Sequence, residues 1–367
     1  MSKLFTFILS FLTLLFSFIC VCHATDISAK HAIVLEAESG EIVYEKNARI
    51  KAPMASTTKI MTALVAIESG DLDKRISIPK EATGIEGSSI YLKEGEVLTL
   101  RDLVYALMLE SANDAACAIA LEIGGSLEEF SRMMNEKAKE IGLKSTNFTN
   151  PHGLDNDEHY TTAYDLATLA LYAMREPVFE EIVSTKKHVI PLGNDGSRVL
   201  INHNKLLRLF EGAIGVKTGF TKKSGRCLVS CAERDGVRLI CVTLNAPNDW
   251  NDHKYLLSSS FDGFERIHLA EAEDYTLSLG CINGEKDSFL CSNTDSLSVT
   301  LKKGNRDNIR AVTEYDRLIS APIKKGDKIG RIAFYCGERL IGECPLYSLE
   351  SVKCIKYRKS ILERIFG

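Results

Sequence analysis

The sequence has few cysteines, little imbalance of charge and no paired cysteine motif. Eleven cysteines among 367 residues are too few for a disulfide scaffold of this size. No C-x-x-C pair occurs, so neither a zinc ribbon nor a thioredoxin-like redox site is indicated. Lysine and arginine together number 45 against 49 acidic residues, and this balance argues against binding to nucleic acid. The spacing of histidine, cysteine and acidic residues predicts no metal site, and we expect no cofactor.

The bulk composition is that of a folded protein. Hydrophobic residues make up 45% and charged residues 26% of the chain, as in ordinary globular proteins. A chain of this length exceeds one ordinary hydrophobic core, so two domains or more are expected.

The chain begins with a long apolar run. Residues 4–22 read LFTFILSFLTLLFSFICVC, with Lys3 before them and Ala24 shortly after. This pattern predicts a signal peptide over residues 1–24; an uncleaved membrane anchor is the alternative, since the run is nearly long enough to span a bilayer. Either places the rest of the chain outside the cytoplasm. Cleavage leaves nine cysteines, an odd number, and we interpret most of them as small buried hydrophobes.

The other end of the chain is basic. Residues 351–367 carry five lysines and arginines against Glu363 alone. Apolar residues recur there at roughly helical spacing, at Val352, Ile355, Leu362, Ile365 and Phe366. Such a helix is able to lie on an anionic membrane surface. A solvated basic tail, or a helix packed on its own domain, is the alternative.

Between the ends, the pattern predicts an α+β fold followed by a small β domain. Residues 31–47 and 227–244 read as hairpins of short strands, and the region between them is rich in helical patterns. We predict helices over the segments 54–69, 100–110, 114–123, 127–141, 162–174 and 255–268. From about Tyr275 to Ser348, short alternating segments with turn signals predict strands. The predicted domains span residues 25–272 and 273–350.

The first motif with chemical meaning is an S-x-x-K at Ser56 and Lys59. Residues three apart share one face of a helix, so the hydroxyl and the amine are expected to meet near its N-terminus. Burial lowers the pKa of a lysine, and a neutral amine can take the proton of a serine and make it a nucleophile. The alternative is a helix-capping hydroxyl with a solvated lysine. The sequence has two further S-x-x-K segments, at Ser77 and Ser184, in a proline-interrupted and a polar context respectively.

Two further short motifs follow. Ser111-Ala112-Asn113 lies between two predicted helices, where Ser and Asn are commonly simple caps. Lys217-Thr218-Gly219 lies on a predicted strand, where a glycine lets another backbone approach closely. Each is commonplace alone. His152 and Asp155 also invite a hydrolase interpretation, but we interpret them as a structural loop.

In this order, the three motifs match the joint signature of serine β-lactamases and penicillin-binding proteins. The chain resembles the low-molecular-mass penicillin-binding proteins, which are serine-type D-alanyl-D-alanine carboxypeptidases with a β-lactamase/transpeptidase-like fold. Other stretches carry the same resemblance over about residues 32–264: Gly87-Ser88-Ser89, residues 109–116, residues 150–155 and residues 159–163. The family's C-terminal β domain and membrane-binding end also fit this sequence.

The resemblance implies a role for each motif residue. Ser56 would be the acyl-enzyme nucleophile and Lys59 its general base. Ser111 would pass the proton towards the leaving D-alanine, and Asn113 would hold the substrate's peptide carbonyl. The substrate would be a peptidoglycan pentapeptide stem that ends in D-Ala-D-Ala, and β-lactam antibiotics would acylate Ser56.

The third motif would bind the end of the substrate. Lys217 would polarise the proton relay, and Thr218 would contact the terminal carboxylate. Gly219 would admit the substrate backbone, and the N–H groups of Ser56 and Phe220 would form the oxyanion hole.

The chain also departs from some relatives. Phe220 stands where some have histidine, and the segment 245–253 lacks an arginine that assists carboxylate binding in others. Carboxylate recognition then falls to Thr218 and Lys217, or to Arg226. A β-lactamase, an endopeptidase and a non-catalytic envelope scaffold are the rival functions.

Overall fold

A computed structural model describes residues 27–192 and 196–355, and the α-helices and strands of these ranges are as follows. The α-helices are α1 (Lys59–Glu68), α2 (Leu100–Leu109), α3 (Asn113–Gly124), α4 (Leu127–Ile141), α5 (Ala163–Ala173), α6 (Pro177–Ser184), α7 (Leu206–Leu209) and α8 (Asp249–Phe261). The strands before residue 250 are β1 (His31–Glu36), β2 (Ile42–Lys46), β3 (Arg75–Ser77), β4 (Val97–Thr99), β5 (Lys187–Leu192), β6 (Gly196–Ile201), β7 (Ala213–Thr221), β8 (Gly225–Arg234) and β9 (Val237–Leu244). The later strands are β10 (Phe264–Ala270), β11 (Leu277–Gly280), β12 (Ser288–Asn293), β13 (Leu297–Lys302), β14 (Ile309–Tyr315), β15 (Lys328–Cys336) and β16 (Arg339–Ser348).

A five-stranded antiparallel sheet in the order β2-β1-β9-β8-β7 divides the first domain into two layers. Successive side chains of a strand point to opposite faces, and β1 shows the result. Ile33 and Leu35 join the larger core, built with α1 to α6, whereas Ala32 and Val34 join a second core with α8. Both faces of the sheet are therefore covered, and the predicted α+β class is confirmed.

The C-terminal part is built from strands, as predicted. A five-stranded sheet in the order β11-β12-β16-β15-β14 packs around Phe289, Ile332, Phe334 and Leu346. The antiparallel strands β10 and β13 form a two-stranded ribbon that contacts the first domain. Thr300 N, on β13, donates to Oε2 of Glu38, in the β1–β2 turn, at 3.0 Å. Arg266 on β10 pairs with the same carboxylate. The boundary at residue 272 stays a prediction.

Two predicted helices differ from the observed ones. The helix predicted from Met54 begins as a 3₁₀ turn over Ala55–Thr58, and α1 starts only at Lys59. The hydroxyls of Thr57 and Thr58 donate to the carbonyls of Met54 and Ala55, and these local bonds favour the tighter turn.

The helix predicted to continue to His268 ends at Phe261, and residues 264–270 form β10 instead. Pairing with β13, some thirty residues later in the chain, stabilises this strand, and such a distant partner leaves no local signal.

The predicted tail helix also begins differently. Residues 351–355 are extended, with Val352 fully buried and bridged to Ile323, and Ile355 N donates to Asn283 O at 2.9 Å. They belong to the β domain. Residues 356–367 and the predicted signal peptide lie outside the described residues. Within the described ranges, no helix is long and apolar enough to cross a membrane.

The start of the described chain is fixed against α8. The carboxylate of Asp252 accepts from Ser28 N at 3.0 Å, Ser28 Oγ at 2.7 Å and Ala29 N at 3.0 Å. Ser28 Oγ accepts in turn from Asn248 N at 2.9 Å. The nine cysteines of the described ranges are free thiols, and seven of them are buried.

Candidate active site

Ser56 and Lys59 are brought together by the 3₁₀ turn. A 3₁₀ helix has three residues per turn, so side chains three apart lie directly above one another. Ser56 Oγ lies 3.1 Å from Lys59 Nζ, and Lys59 is fully buried. The other S-x-x-K segments lack this arrangement, because Ser77 ends β3 and Ser184 ends α6, with each lysine in the next element.

The surroundings of Lys59 favour its neutral form. Burial lowers the pKa of Lys59 well below its ordinary value, and the positive charge of Lys217 lowers it further. Nζ lies 2.7 Å from Asn113 Oδ1 and 2.6 Å from the carbonyl oxygen of His152. A neutral amine has two N–H donors and one lone pair. In the neutral form these two acceptors would take both donors, and the lone pair would remain for the hydrogen of the Ser56 hydroxyl, 3.1 Å away.

Lys217 provides a second buried amine. It lies on β7, and burial lowers its pKa to about 7. Its Nζ donates to the carbonyl oxygen of Thr218 at 3.0 Å. The amine therefore remains cationic below neutral pH and contributes positive charge beside Lys59.

The Ser-Ala-Asn segment is the tight connection between α2 and α3. Ser111 has a φ of +60°, in the left-handed region that is strained for a residue with a side chain. Its side chain is largely buried, yet its hydroxyl makes no hydrogen bond within residues 27–192 and 196–355. Asn113 is the first residue of α3, and its side-chain oxygen contacts Lys59 Nζ.

A loop that precedes this segment holds Asn113. Asn113 N donates to Ser88 O at 2.7 Å, and Asn113 Nδ2 donates to Glu86 O at 2.6 Å. Gly87 has a φ of +91°, and a Cβ there would lie 2.7 Å from Asn113 Nδ2. Only glycine fits, which gives the Gly87-Ser88-Ser89 stretch a physical role.

The strand β7 borders the site along one side. It is the outermost strand of the described sheet and pairs with β8 alone, so its outer backbone groups are free to pair with an added strand. A Cβ on Gly219 would lie 3.1 Å from Ser56 N and 3.2 Å from Thr57 N. The absence of a side chain lets β7 lie directly against the 3₁₀ turn. Phe220, the next residue, is 63% exposed.

Sequence analysis missed the contribution of the loop after residue 149. The carbonyl of His152, rather than its ring, contacts Lys59, and burial lowers the pKa of the ring to about 3. Gly153 has a φ of +89°, and a Cβ there would lie 2.0 Å from Ala55 O. Asp155 accepts from Thr221 Oγ1 at 2.8 Å. The Pro-His-Gly sequence is a turn signal that points to this loop, but not to its contact with Lys59.

A buried histidine, His159, contacts the 3₁₀ turn through the hydroxyl of Thr58. Thr149 N donates to His159 Nδ1 at 3.0 Å, so the ring proton is on Nε2, which donates to Thr58 Oγ1 at 2.7 Å. The Thr58 hydroxyl in turn donates to Ala55 O. Burial lowers the pKa of His159 to about 4 and keeps the ring neutral.

Arg226 lies opposite Phe220 on β8 but is already paired. Its Nε and Nη2 each lie 2.9 Å from an oxygen of the Asp249 carboxylate. The guanidinium is also 5.7 Å from the ring of Trp250. This bidentate pair already occupies the guanidinium, so we expect carboxylate binding to fall to Lys217 and Thr218.

The fold and the paired serine and lysine define a serine hydrolase of the transpeptidase-like class. The chain belongs to the D-alanyl-D-alanine carboxypeptidase family, a family of serine peptidases, whose profile matches residues 20–248. The profile described as penicillin-binding protein 5, C-terminal domain, matches residues 264–354. The resemblance inferred from the motifs is confirmed.

Individual relatives agree with this assignment. D-alanyl-D-alanine carboxypeptidase DacF of Bacillus subtilis is 31% identical over 89% of this chain and 86% of its own length. DacC of Escherichia coli is 32% identical over 90% of this chain and 86% of its own. The crystal structure of penicillin binding protein 5 from Haemophilus influenzae superposes with a TM-score of 0.69, at 28% identity, over 89% of this chain and 98% of that one.

The substitution Gly219→Ala tests the close contact between β7 and the 3₁₀ turn. The added methyl group would lie 3.1 Å from Ser56 N, covering that N–H or displacing the turn. We expect acylation by a fluorescent penicillin to slow by roughly 10²-fold, the typical effect of losing one oxyanion donor. Gly280→Ala is the matched control, because a Cβ in that strand meets its nearest neighbour at 3.9 Å. A wild-type acylation rate for Gly219→Ala would contradict this account of the contact.

The pH dependence of acylation tests the coupling between the two lysines. Lys59 must be neutral to accept a proton, so the rate falls as the pH drops through its lowered pKa. Lys217→Met removes a positive charge that lowers this pKa, so the acid limb should move to higher pH. The second-order rate with a fluorescent penicillin, measured across pH, gives the midpoint. Lys223→Met is the control, since Lys223 is paired with Asp157 at the surface. An unmoved midpoint in Lys217→Met would show that the two amines are not coupled.

Proposed function

We propose that the protein removes the terminal D-alanine from peptidoglycan stem peptides by way of an acyl-enzyme on Ser56. The observation that carries the proposal is the buried Lys59 amine, 3.1 Å from Ser56 Oγ and oriented by contacts with Asn113 Oδ1 and the carbonyl oxygen of His152. Membership of a family of D-alanyl-D-alanine carboxypeptidases supports the choice of substrate. By limiting the number of intact pentapeptides, the reaction limits cross-linking of the wall.

In the acylation step, Lys59 takes the proton of Ser56 as Oγ attacks the carbonyl carbon of the penultimate D-alanine. The developing oxyanion accepts hydrogen bonds from the N–H groups of Ser56 and Phe220. The peptide C–N bond then breaks, and the leaving D-alanine takes a proton delivered through Ser111. Asn113 binds the carbonyl of the preceding peptide bond, and Thr218 with Lys217 binds the terminal carboxylate.

In the deacylation step, water attacks the ester and gives its proton to the neutral Lys59. The carbonyl–Oγ bond breaks, Ser56 regains a proton, and the shortened stem peptide leaves. Penicillins enter by the same acylation step, since their strained amide occupies the position of the D-Ala-D-Ala bond. Their ring-opened amine stays tethered to the acyl group, so the penicilloyl ester persists longer than the peptide ester.

One experiment with Ser56→Ala tests this function. The purified protein is incubated with a fluorescent penicillin and, separately, with a peptide that ends in D-Ala-D-Ala. We expect the wild type to be labelled and to release D-alanine, and Ser56→Ala to lose labelling and roughly 10⁴-fold or more of the turnover.

Three results would overturn the proposal in distinct ways. A wild type that is neither labelled nor active would contradict the catalytic mechanism. Labelling without release of D-alanine would indicate a scaffold. Rapid loss of the label together with hydrolysis of the penicillin would indicate a β-lactamase.

We further propose that the protein acts outside the cytoplasm and binds the membrane surface through its C-terminal end. The described part of the predicted tail belongs to the β domain, so the binding segment is restricted to residues 356–367. That segment carries four lysines and arginines against Glu363 alone, a net charge of +3, and the apolar residues Ile361, Leu362, Ile365 and Phe366. Basic and apolar residues together favour an anionic lipid surface.

Truncation after Ile355 tests the membrane proposal without cutting the β domain. We expect the mature full-length chain, lacking residues 1–24, to sediment with vesicles that contain anionic lipid and the truncated chain to remain in solution. Vesicles of zwitterionic lipid are the control, and we expect weaker binding to them. Equal sedimentation of both chains with anionic vesicles would refute a role for residues 356–367.

A further inference from the structure

We propose that Glu110 is a positioning residue for the Ser111 hydroxyl, acting by fixing the backbone that presents this hydroxyl to the site. The proposal rests on the proposed function, since it concerns how the proton reaches the leaving D-alanine. Glu110 is the residue directly before Ser111, at the end of α2, and its side chain contacts the end of β6.

The carboxylate of Glu110 is hydrogen-bonded to the last residue of β6 and to a residue shortly after it. Oε1 accepts from Ile201 N at 2.6 Å, and Oε2 lies 3.0 Å from His203 Nε2. His203 N also donates to Leu109 O at 3.3 Å. Three contacts to residues 201–203 therefore converge on the last two residues before Ser111.

The segment 201–203 is itself fixed to the domain. Asn202 is buried, and its Nδ2 donates to Val183 O at 3.1 Å and to Thr185 O at 2.9 Å, at the end of α6. Asn202 N donates to Lys186 O at 3.0 Å. Because α6 packs against α2 and β7, the segment gives Glu110 a rigid support.

Ser111 needs such support for two reasons. Its φ of +60° is unfavourable for a residue with a side chain, so relaxation of the loop would change the direction of the side chain. Its hydroxyl makes no hydrogen bond among the residues that the structure describes, so no bond of its own holds its direction. The backbone therefore sets the direction of the Cα–Cβ bond from which the hydroxyl projects.

The paired strands β5 and β6 offer a matched control. Glu96 accepts from Arg198 Nη1 at 2.6 Å and Nη2 at 3.3 Å, and so ties β6 to the same domain. Glu96 precedes β4 and does not adjoin Ser111. Loss of Glu96 removes an ion pair that holds β6 and leaves the contacts of the loop that carries Ser111 in place.

The test compares an amide and an ester substrate of the same peptide, ending in D-Ala-D-Ala or in D-Ala-D-lactate. An amine must gain a proton to leave, whereas an alkoxide leaves with far less help, so misplacement of Ser111 should slow the amide more. We expect Glu110→Ala to lower kcat/KM for the amide by about tenfold, within the range for a slightly misplaced catalytic group, and to lower it much less for the ester. Glu110→Gln keeps an oxygen for Ile201 N and should recover most of the amide activity.

Two controls separate positioning from general destabilisation. Glu96→Ala should leave the ratio of amide to ester rates at the wild-type value. In the background of Ser111→Ala, Glu110→Ala should cause no further change in that ratio, because the group that it positions is gone.

The proposal is overturned by equal losses on amide and ester, by the same ratio change in Glu96→Ala, or by additive effects in the double variant. If thermal melting shows that Glu110→Ala folds poorly, Glu110→Gln takes its place in the test. A tenfold loss of amide activity in Glu110→Gln, with the ratio of amide to ester rates unchanged from the wild type, then refutes the proposal as well. A wild type inactive on both substrates would contradict the proposed function instead.

Discussion

The site depends on one buried amine, that of Lys59, whose surroundings favour its uncharged form. Desolvation of Lys59 is unfavourable for the ammonium form, and the nearby Lys217 adds electrostatic repulsion. The contacts with Asn113 and with the carbonyl of His152 orient the amine, which lies 3.1 Å from Ser56 Oγ. Three separate parts of the chain, the 3₁₀ turn, the start of α3 and the loop at His152, meet at this nitrogen.

The backbone segments around Lys59 approach one another closely, and this explains where glycines and residues with positive φ are found. Gly153 lets the loop approach Ala55 O, Gly87 lets another loop approach Asn113, and Gly219 lets β7 approach the 3₁₀ turn. Ala55 and Ser111, at φ of +48° and +60°, lie in the left-handed region although they carry side chains. Strain of this kind persists only where the surrounding structure determines the backbone, as the buried core around α1 to α6 does here.

Local patterns predicted much of the fold, and the failures have a common cause. The helices over 127–141 and 162–174 were predicted from residues close in sequence, and the second has Thr162 as a cap that accepts from Asp165 N. The strand β10 was missed because its partner β13 lies far along the chain, and the 3₁₀ turn because threonine hydroxyls compete with α-helical bonding. For the site, the motifs indicated Ser56, Lys59 and Asn113 together. The carbonyl of His152 was missed since a backbone contact leaves no residue-specific signature.

The hydrogen bonds between Ser28 and Asp252 have a consequence for how the domains are connected. They hold the beginning of the catalytic domain against α8, the helix that closes the same domain just before β10. The two ends of that domain are therefore neighbours on its surface, which is the arrangement that tolerates insertion and fusion. The β domain continues from this junction without threading through the catalytic core. In modular terms it is an appended unit, joined at a surface junction and held there by the contacts of Thr300 and Arg266 with Glu38.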